Sequence, residues 1–267
     1  EVLRQVEVAP SEGFREVTLL GQTVNSYNDG QHDFADLLRM VARIEGVRRI
    51  RFTSPHPSDF SEKLIDQIAG EDNVCGFVHL PVQSGSDEVL SAMRRTYTVD
   101  EYLRLVDRLR DAVPGLCLST DVIVGFPNEA EANFEETLDL VRRVRYDFAF
   151  TFKYSPRKGT AAFRGIPDQI PEKEKVCRLE RLIQLQNEIS GEVNRAFVGK
   201  TVEVLVQGDA RKGEGRAVGK SDGFKTVVFP RNGSRVNTFV DVRITDASSH
   251  TLMGILTKEN GTDVSPD

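Results

Sequence analysis

The sequence predicts an α/β chain, a partial parallel (β/α) barrel followed by a small all-β barrel. Three observations carry this reading. From residue 16 onward, short apolar strands alternate with amphipathic helical stretches, the pattern of a parallel sheet covered by helices. Five such units precede residue 198, whereas a complete eight-fold barrel needs roughly 250 residues. After Gly199 the helical spacing stops, and five short strands split by Gly, Asp and Asn turns follow, which suits a closed or nearly closed barrel.

The elements run as follows. EVTLLG (16–21) reads as a strand and leads into the loop QTVNSYNDGQHD. Asp33 is placed to cap a helix over about 34–45, with Phe34, Leu37, Leu38, Val41 and Ile44 at helical spacing. RIRFTS (49–54) is a second strand, ended by Pro55 and Pro57, and Ser61 begins the next helix. CGFVHLPV (75–82) is a third strand; Val99, Tyr102, Leu103, Val106, Leu109 and Val113 then form one helical stripe that Pro114-Gly115 ends. CLSTDVIVG (117–125) is apolar enough for a strand covered on both faces. A helix over 131–145 turns Phe134, Leu138, Val141 and Val144 inward, and DFAFTFKYS (147–155) is the fifth strand. The last helix, about 171–193, starts at Pro171 and runs through Val176, Leu179, Ile183 and Ile189. Beyond it, the strands VEVLVQGD, GRAVGKSD, KTVVFP, NTFVDVRITDAS and TLMGILT divide the chain into a barrel over 1–197, a second barrel over 198–258 and a flexible tail over 259–267.

Composition fits an ordinary globular protein, with 39% hydrophobic and 28% charged residues in 267. No apolar run approaches the ~20 residues that span a bilayer, and no secretory signal is visible at the first residues. The chain opens within a helical pattern and without an initiator Met, so a segment trimmed at its N-terminus is expected. Cys75, Cys117 and Cys177 are too far apart for a disulfide framework or a local metal motif and read as buried thiols of a reducing cytoplasm, with no protein-ligated metal. Residues 198–258 hold ten Lys/Arg against six Asp/Glu, a basic module on an acidic body and a hint of a polyanionic partner.

In a parallel barrel, ligand groups sit on the loops after the strands. Those loops carry polar clusters here: Gly21–Tyr27, Thr53–Pro57, His79–Ser86, Gly125-Phe126-Pro127 and Tyr154–Arg157. Gln, Asn and Ser side chains can donate to and accept from an adenine, a ribose or an amino acid headgroup. The sequence has no phosphate loop, no Ser-His-Asp arrangement and no paired-carboxylate device, so no side chain of the chain itself reads as catalytic.

At these residues the chain resembles the MiaB-type tRNA methylthiotransferases, a radical S-adenosylmethionine family with a C-terminal TRAM domain. The likeness is carried by LLGQTVNSY (19–27), RIRFTSPHP (49–57), HLPVQSGSDEVLSAMRRTYT (79–98), STDVIVGFP (119–127), FKYSPRKGT (152–160) and LIQLQNEIS (182–190), and by VEVLVQGDARK, GRAVGKSDGFKTVVFP and RITDASSHTLMGIL in the second barrel. The resemblance implies a radical SAM barrel and a TRAM barrel. It also implies methylthiolation of C2 of N6-isopentenyladenosine at tRNA position 37, using S-adenosylmethionine, two [4Fe-4S] clusters and an electron donor, with the anticodon arm of tRNA as partner in the cytoplasm. In that scheme cofactors carry the difficult steps and the protein binds and orients. By the same resemblance, Gln22 and Asn25 meet the amino acid part of S-adenosylmethionine, Gln83 and Ser84 approach its ribose, Val124, Gly125 and Phe126 flank its adenine, and Tyr154 stands at the mouth. RNA contacts are expected at Arg157, Arg211, Lys212, Arg216, Lys220, Lys225, Arg231 and Arg235, with Phe229 in the core and Phe224 free to stack or to pack.

The match breaks at the family's Cys-x-x-x-Cys-x-x-Cys loop, whose thiolates hold a cluster and which has no counterpart here; the N-terminal domain with three further cluster cysteines is missing as well. The chain alone is therefore expected to bind no cluster and to be inactive. Asn128 and Ala130 also stand where the family usually has Gly and Thr; Asn tolerates a positive φ. Two other readings are a non-catalytic RNA-binding protein that retains the scaffold and a methylthiotransferase acting on another tRNA base or on a ribosomal protein. An aldolase-like barrel is disfavoured for want of a buried Lys or His base.

Overall fold

A computed structural model describes residues 1–156, 167–211 and 213–258; Arg157, Lys212 and the stretch 259–267 lie outside the described residues. Helix α1 (Val2–Val8) and a 3-10 turn lead into β1 (Glu16–Leu19), which pairs in parallel with β2 (Arg49–Phe52). Ile50 bonds Asn73 O and receives the N–H of Cys75 (2.7 and 3.0 Å), carrying the sheet on to β3 (Phe77–His79). β3 pairs with β4 (Cys117–Val124) and β4 with β5 (Phe148–Lys153), all parallel. The strands thus lie in chain order with open edges at β1 and β5, the partial barrel that the strand–helix alternation predicts.

Each strand is followed by a helix: α2 (Phe34–Ala42), α3 (Glu62–Gly70), α4 (Asp87–Ala92) with α5 (Val99–Ala112), α6 (Glu131–Val144) and α7 (Glu172–Arg195). Local chemistry sets their starts. Asp33 and Asp36 close a capping box on α2, Ser61 caps α3, and Thr98 with Glu101 boxes α5. In β4 the period of two sorts the residues. Leu118, Thr120, Val122 and Val124 are wholly buried under the helices, whereas Asp121 and Ile123 on the other face are half-buried. One face of β4, not both, is therefore covered by helices. β3 is shorter than its apolar run because Pro81 has no N–H to give and the N–H of Val82 turns to the Thr120 hydroxyl (2.9 Å).

Helix α7 departs from expectation. Val176 and Ile183 are exposed, and the buried stripe reads Lys175, Arg178, Leu182, Gln186 and Ile189. This face meets polar backbone as much as core: Gln186 donates to Tyr146 O (2.8 Å), Ser190 to Asp147 O (2.9 Å) and Asn194 to Ser248 O (2.8 Å). Cys177 is exposed on the same helix, contrary to its reading as a buried thiol, while Cys75 and Cys117 are buried.

The C-terminal strands β6 (Thr201–Asp209), β7 (Arg216–Ser221), β8 (Thr226–Pro230), β9 (Phe239–Ala247) and β10 (Leu252–Lys258) close a barrel in the order β10-β8-β7-β6-β9. It has its own core of Val204, Val206, Ala217, Val227, Phe229, Val242, Ile244 and Leu252. The β7–β8 turn, Ser221–Lys225, docks on the N-terminal ends of the parallel strands. Arg49 donates to Lys220 O (2.8 Å) and Glu203 O (2.9 Å), and Arg51 to Asp222 O (2.7 Å) and Ser221 O (2.8 Å). Asp222 accepts from Gly76 N–H (2.8 Å), and Phe224 stacks on Phe77 with ring centroids 5.0 Å apart. A Cβ on Gly223 would stand 2.4 Å from Cys117 Sγ, so the turn approaches this closely only as glycine.

Two basic residues read as RNA contacts are fixed inside this junction. Lys225 is 5% exposed, pairs with Asp147 (2.5 Å) and donates to Asn194 Oδ1 (2.7 Å). Lys220 donates to Thr226 Oγ1 (3.0 Å) and lies over the Phe224 ring, and burial lowers its ammonium pKa. Phe224 packs rather than projecting, and Phe229 is core. Arg231 pairs with Asp209, leaving Arg211, Arg216 and Arg235 exposed at the end of the second barrel away from the docked turn.

Candidate functional site

The loops after the parallel strands form one tied rim. Val24 N–H donates to Ser54 O (3.3 Å), joining the first loop to the second. The Asn25 amide reaches the same neighbour: Nδ2 donates to His56 O (2.9 Å) and Oδ1 accepts His56 N–H (2.8 Å). His56 lies edge-on to Tyr97 at 5.6 Å, and Ser58 shares a 2.8 Å hydroxyl bond with Thr96, tying the second loop to the third. Gln83 bridges to β4, and Tyr154 N–H donates to Val124 O (2.8 Å), joining the fourth loop to the fifth. Gln83, Gly125 and Tyr154 accordingly stand at the C-terminal ends of β3, β4 and β5, and Gln22 follows β1 in the two-stranded sheet bridged to them at Ile50–Val74.

Four of the eight left-handed non-glycine residues among the described residues lie in these loops. Ser54 (φ 57°), Gln83 (φ 72°), Arg94 (φ 58°) and Asn128 (φ 68°) are left-handed non-glycine residues in the loops after β2, β3 and β4. Such outliers cost about 1–3 kcal/mol each and persist where the surroundings hold them. For Gln83 the holding groups are explicit. Its N–H donates to Asp121 O (2.8 Å) and its carbonyl accepts from Ile123 N–H (2.9 Å). The preceding carbonyls are pinned by buried tyrosines, Tyr102 on Leu80 O (2.8 Å) and Tyr97 on Val82 O (3.0 Å). Gln83 is 92% covered as a residue, and its side-chain amide, which keeps some exposure, makes no hydrogen bond to another described residue.

The Gly125 turn is built as tightly. Gly125 has φ 71°, and a Cβ there would meet Lys175 Cγ at 2.6 Å. Its N–H donates to Glu129 Oε2 (2.7 Å), and Arg178 holds both the Glu129 carboxylate and its backbone carbonyl at 2.8 Å. Burial pushes the Glu129 carboxyl pKa up against the pull of Gly125 N–H and Arg178. Phe126 is buried edge-on to Tyr154 at 5.1 Å, and the Lys175 ammonium lies 5.4 Å over the Tyr154 ring. On the concave face below, His79 bonds Ser119 (2.8 Å) and faces Asp121 (3.4 Å), beside Phe150 and Phe152, each about half exposed.

The predicted residues divide accordingly. Gln22 is exposed on the first loop, and Gln83, Gly125, Phe126 and Tyr154 meet around the turn-and-sheet edge. Ser84 is wholly buried, its hydroxyl on Thr137 (3.3 Å) and Ser86 N–H (3.2 Å), so it anchors the loop to α6 and does not face a ligand. Asn25 ties two loops with one donor and one acceptor, and Val124 offers only backbone, its side chain lying in the core. Lys175, Glu129 and Arg178 escaped the sequence reading. The visible signal was Lys175, Arg178, Leu182, Gln186 and Ile189 at helical spacing, a face on which charged residues stand at core positions.

The sheet edge, with a Gln83 amide that has no partner among the described residues, a glycine turn and two aromatic edges, suits an adenosyl group. An iron–sulfur cluster does not fit: no group of three His, Cys, Asp or Glu among the described residues could hold a metal, and burial raises the thiol pKa of both Cys75 and Cys117. The radical SAM superfamily profile matches residues 1–141. The chain belongs to the radical SAM superfamily. A TRAM domain profile matches residues 195–257. Among curated relatives, the tRNA-2-methylthio-N(6)-dimethylallyladenosine synthases of Chlorobium luteolum and Porphyromonas gingivalis are 50% and 47% identical over 91% and 95% of this chain. That of Alkaliphilus oremlandii is 45% identical over 97%. The chain spans about half the length of these relatives, 55–56% of each. The radical SAM enzyme coproporphyrinogen III oxidase of Escherichia coli shares the fold at a TM-score of 0.55, with 18% identity over 81% of this chain and 56% of its own. No helix among the described residues is long and apolar enough to cross a membrane.

Proposed function

We propose that this chain forms the adenosyl-binding and RNA-binding part of a tRNA methylthiotransferase that modifies C2 of N6-dimethylallyladenosine in the anticodon arm. The observation that carries the reading is Gln83, held on a left-handed backbone bridged to β4, whose other end leads to the Gly125–Phe126–Tyr154 turn, with a side-chain amide that has no partner among the described residues. The identity to the tRNA synthases over nearly all of this chain supports the substrate class. Bound S-adenosylmethionine would supply radical and methyl-donor chemistry. Gln83 would hydrogen-bond its ribose or amino acid part, Gln22 would meet the headgroup, and Phe126 with Tyr154 would border the adenine. The open apolar face at Phe150 and Phe152 suits a prenylated base, and Arg211 and Arg216 remain candidates for RNA contact on the second barrel. Residues 1–197 would serve as the cofactor barrel and 198–258 as the RNA module, acting in the cytoplasm with an external electron donor. Cluster ligands are not among the residues that form this site, so no chemical step is assigned to them.

Calorimetric titration with S-adenosylmethionine tests the assignment. Gln83→Ala is expected to weaken binding by about tenfold, the loss of one or two buried hydrogen bonds, with an unchanged circular dichroism spectrum. Equal affinity of both proteins would remove Gln83 from the site.

A further inference from the structure

In the segment SAMRRTYT (91–98), Thr96 and Tyr97 tie the rim loops, whereas the Arg94 and Arg95 side chains serve neither the adenosyl edge nor the second barrel. Helix α4 ends there in a Schellman turn, with Arg94 N–H on Ser91 O and Arg95 N–H on Leu90 O, each 2.9 Å. The turn sets Arg94 at φ 58°, the position that glycine fills most readily. The backbone alone therefore favours glycine where the sequence has arginine.

The two guanidinium groups are unmatched. Neither Arg94 nor Arg95 has a carboxylate partner among the described residues, and Arg95 Nε is buried without an acceptor. Most acids of the surrounding elements are committed elsewhere, and Asp59 on the loop after β2 makes no ion pair with either arginine. Asp87 accepts from Val99 N–H (2.7 Å), Glu88 from Asn133 (3.1 Å) and Glu101 from Thr98 N–H (2.8 Å), while Glu62 pairs with Arg108. The loop after β2 runs alongside, joined by the Ser58–Thr96 bond and the His56–Tyr97 contact, and Ser58, Thr96 and Tyr97 line a cleft of about 260 Å³.

We propose that Arg94 and Arg95 form an anion subsite on the rim, taking the phosphodiester backbone of the RNA strand that carries the substrate base. Guanidinium forks match phosphate oxygens in geometry and charge, and Thr96, whose hydroxyl shares a 2.8 Å bond with that of Ser58, follows them directly in the chain. With Lys220 and Lys225 closed into the domain junction, the rim becomes a second RNA-facing surface in addition to the second barrel. The proposal rests on the RNA-substrate reading above.

Fluorescence anisotropy of a labelled RNA hairpin against the full chain, over a salt series, tests it. Arg94→Gly keeps the turn in its preferred residue, so its Tm should equal or exceed that of the parent, which separates binding from folding. Arg94→Gly and Arg95→Gln are each expected to weaken RNA binding by about fivefold and to reduce the salt slope by about 0.7–0.9 for each phosphate no longer neutralised. Unchanged affinity and slope in both variants overturn the subsite and leave the RNA reading standing. A parent chain that binds no RNA overturns both. Inorganic phosphate binding that the variants lose while RNA binding persists would assign an anion site without an RNA role and overturn the proposal.

Discussion

Protonating His56 would take away the acceptor that Ser58 N–H uses at Nδ1 (3.3 Å). Burial lowers the imidazole pKa below its ordinary 6.5, with Asp59 opposing and Arg95 adding to the shift. The neutral ring is thus favoured in the fold, and the stability it contributes is present above pH 6.5 and lost as pH falls through the lowered value. Thermal melts from pH 7.5 down should show a loss below pH 6.5 that His56→Gln flattens, and an NMR titration of the ring should have its midpoint below 6.5. A midpoint above 6.5 would reverse the sign. Glu129 and Arg178 form the other decisive pair at this scale, 3% exposed each. Glu129→Ala leaves the guanidinium buried with a partner removed and frees Gly125 N–H; denaturant unfolding should register a loss of about 3 kcal/mol. A loss under ~1 kcal/mol would mean that Glu131 and Glu174 suffice for Arg178.

At the scale of elements, the strands and the starts of α2 and α3 were legible because each rests on local chemistry and apolar period. Asp33 and Ser61 cap helices α2 and α3, the Thr98–Glu101 box that starts α5 went unread, and the positive φ that Asn128 tolerates is the one the turn adopts. What the sequence could not disclose depends on contacts between distant segments. Lys220 and Lys225 read as surface charge because nothing local says which end of a hairpin is docked, and Ser84 reads as a loop hydroxyl until α6 is seen against it. Gly85 marks that contact: a Cβ would stand 2.5 Å from Thr137 Cα and 2.6 Å from Glu136 O, both backbone positions that cannot swing away. Gly85→Ala should therefore destabilise the chain by about 2–3 kcal/mol and broaden the NMR signals of the Gln83 loop. A Tm within a degree of the parent would show that α6 yields more easily than its packing implies.

Across the whole molecule, two separate apolar cores are joined by the docked turn, by Arg49 and Arg51, and by the Lys225–Asp147 pair. Such a junction, with guanidinium groups buried against carbonyls, should make the cores unfold together in one calorimetric transition. Arg49→Ala combined with Phe224→Ala should split it in two; a single transition in the double variant would place the coupling elsewhere. Anaerobic reconstitution of this chain with iron and sulfide is expected to leave no stoichiometric sulfur-to-iron charge-transfer band, since its buried thiols stand singly and Cys177 is isolated on α7. The docked turn also has a metrological consequence. For an RNA held as proposed, the interval between its grip on the far barrel and its backbone at the Arg94–Arg95 rim is set by packed side chains instead of a slack tether. The pair then works as a caliper with a fixed gap, responsive to the length of the stem it measures as well as to the letters at its tip.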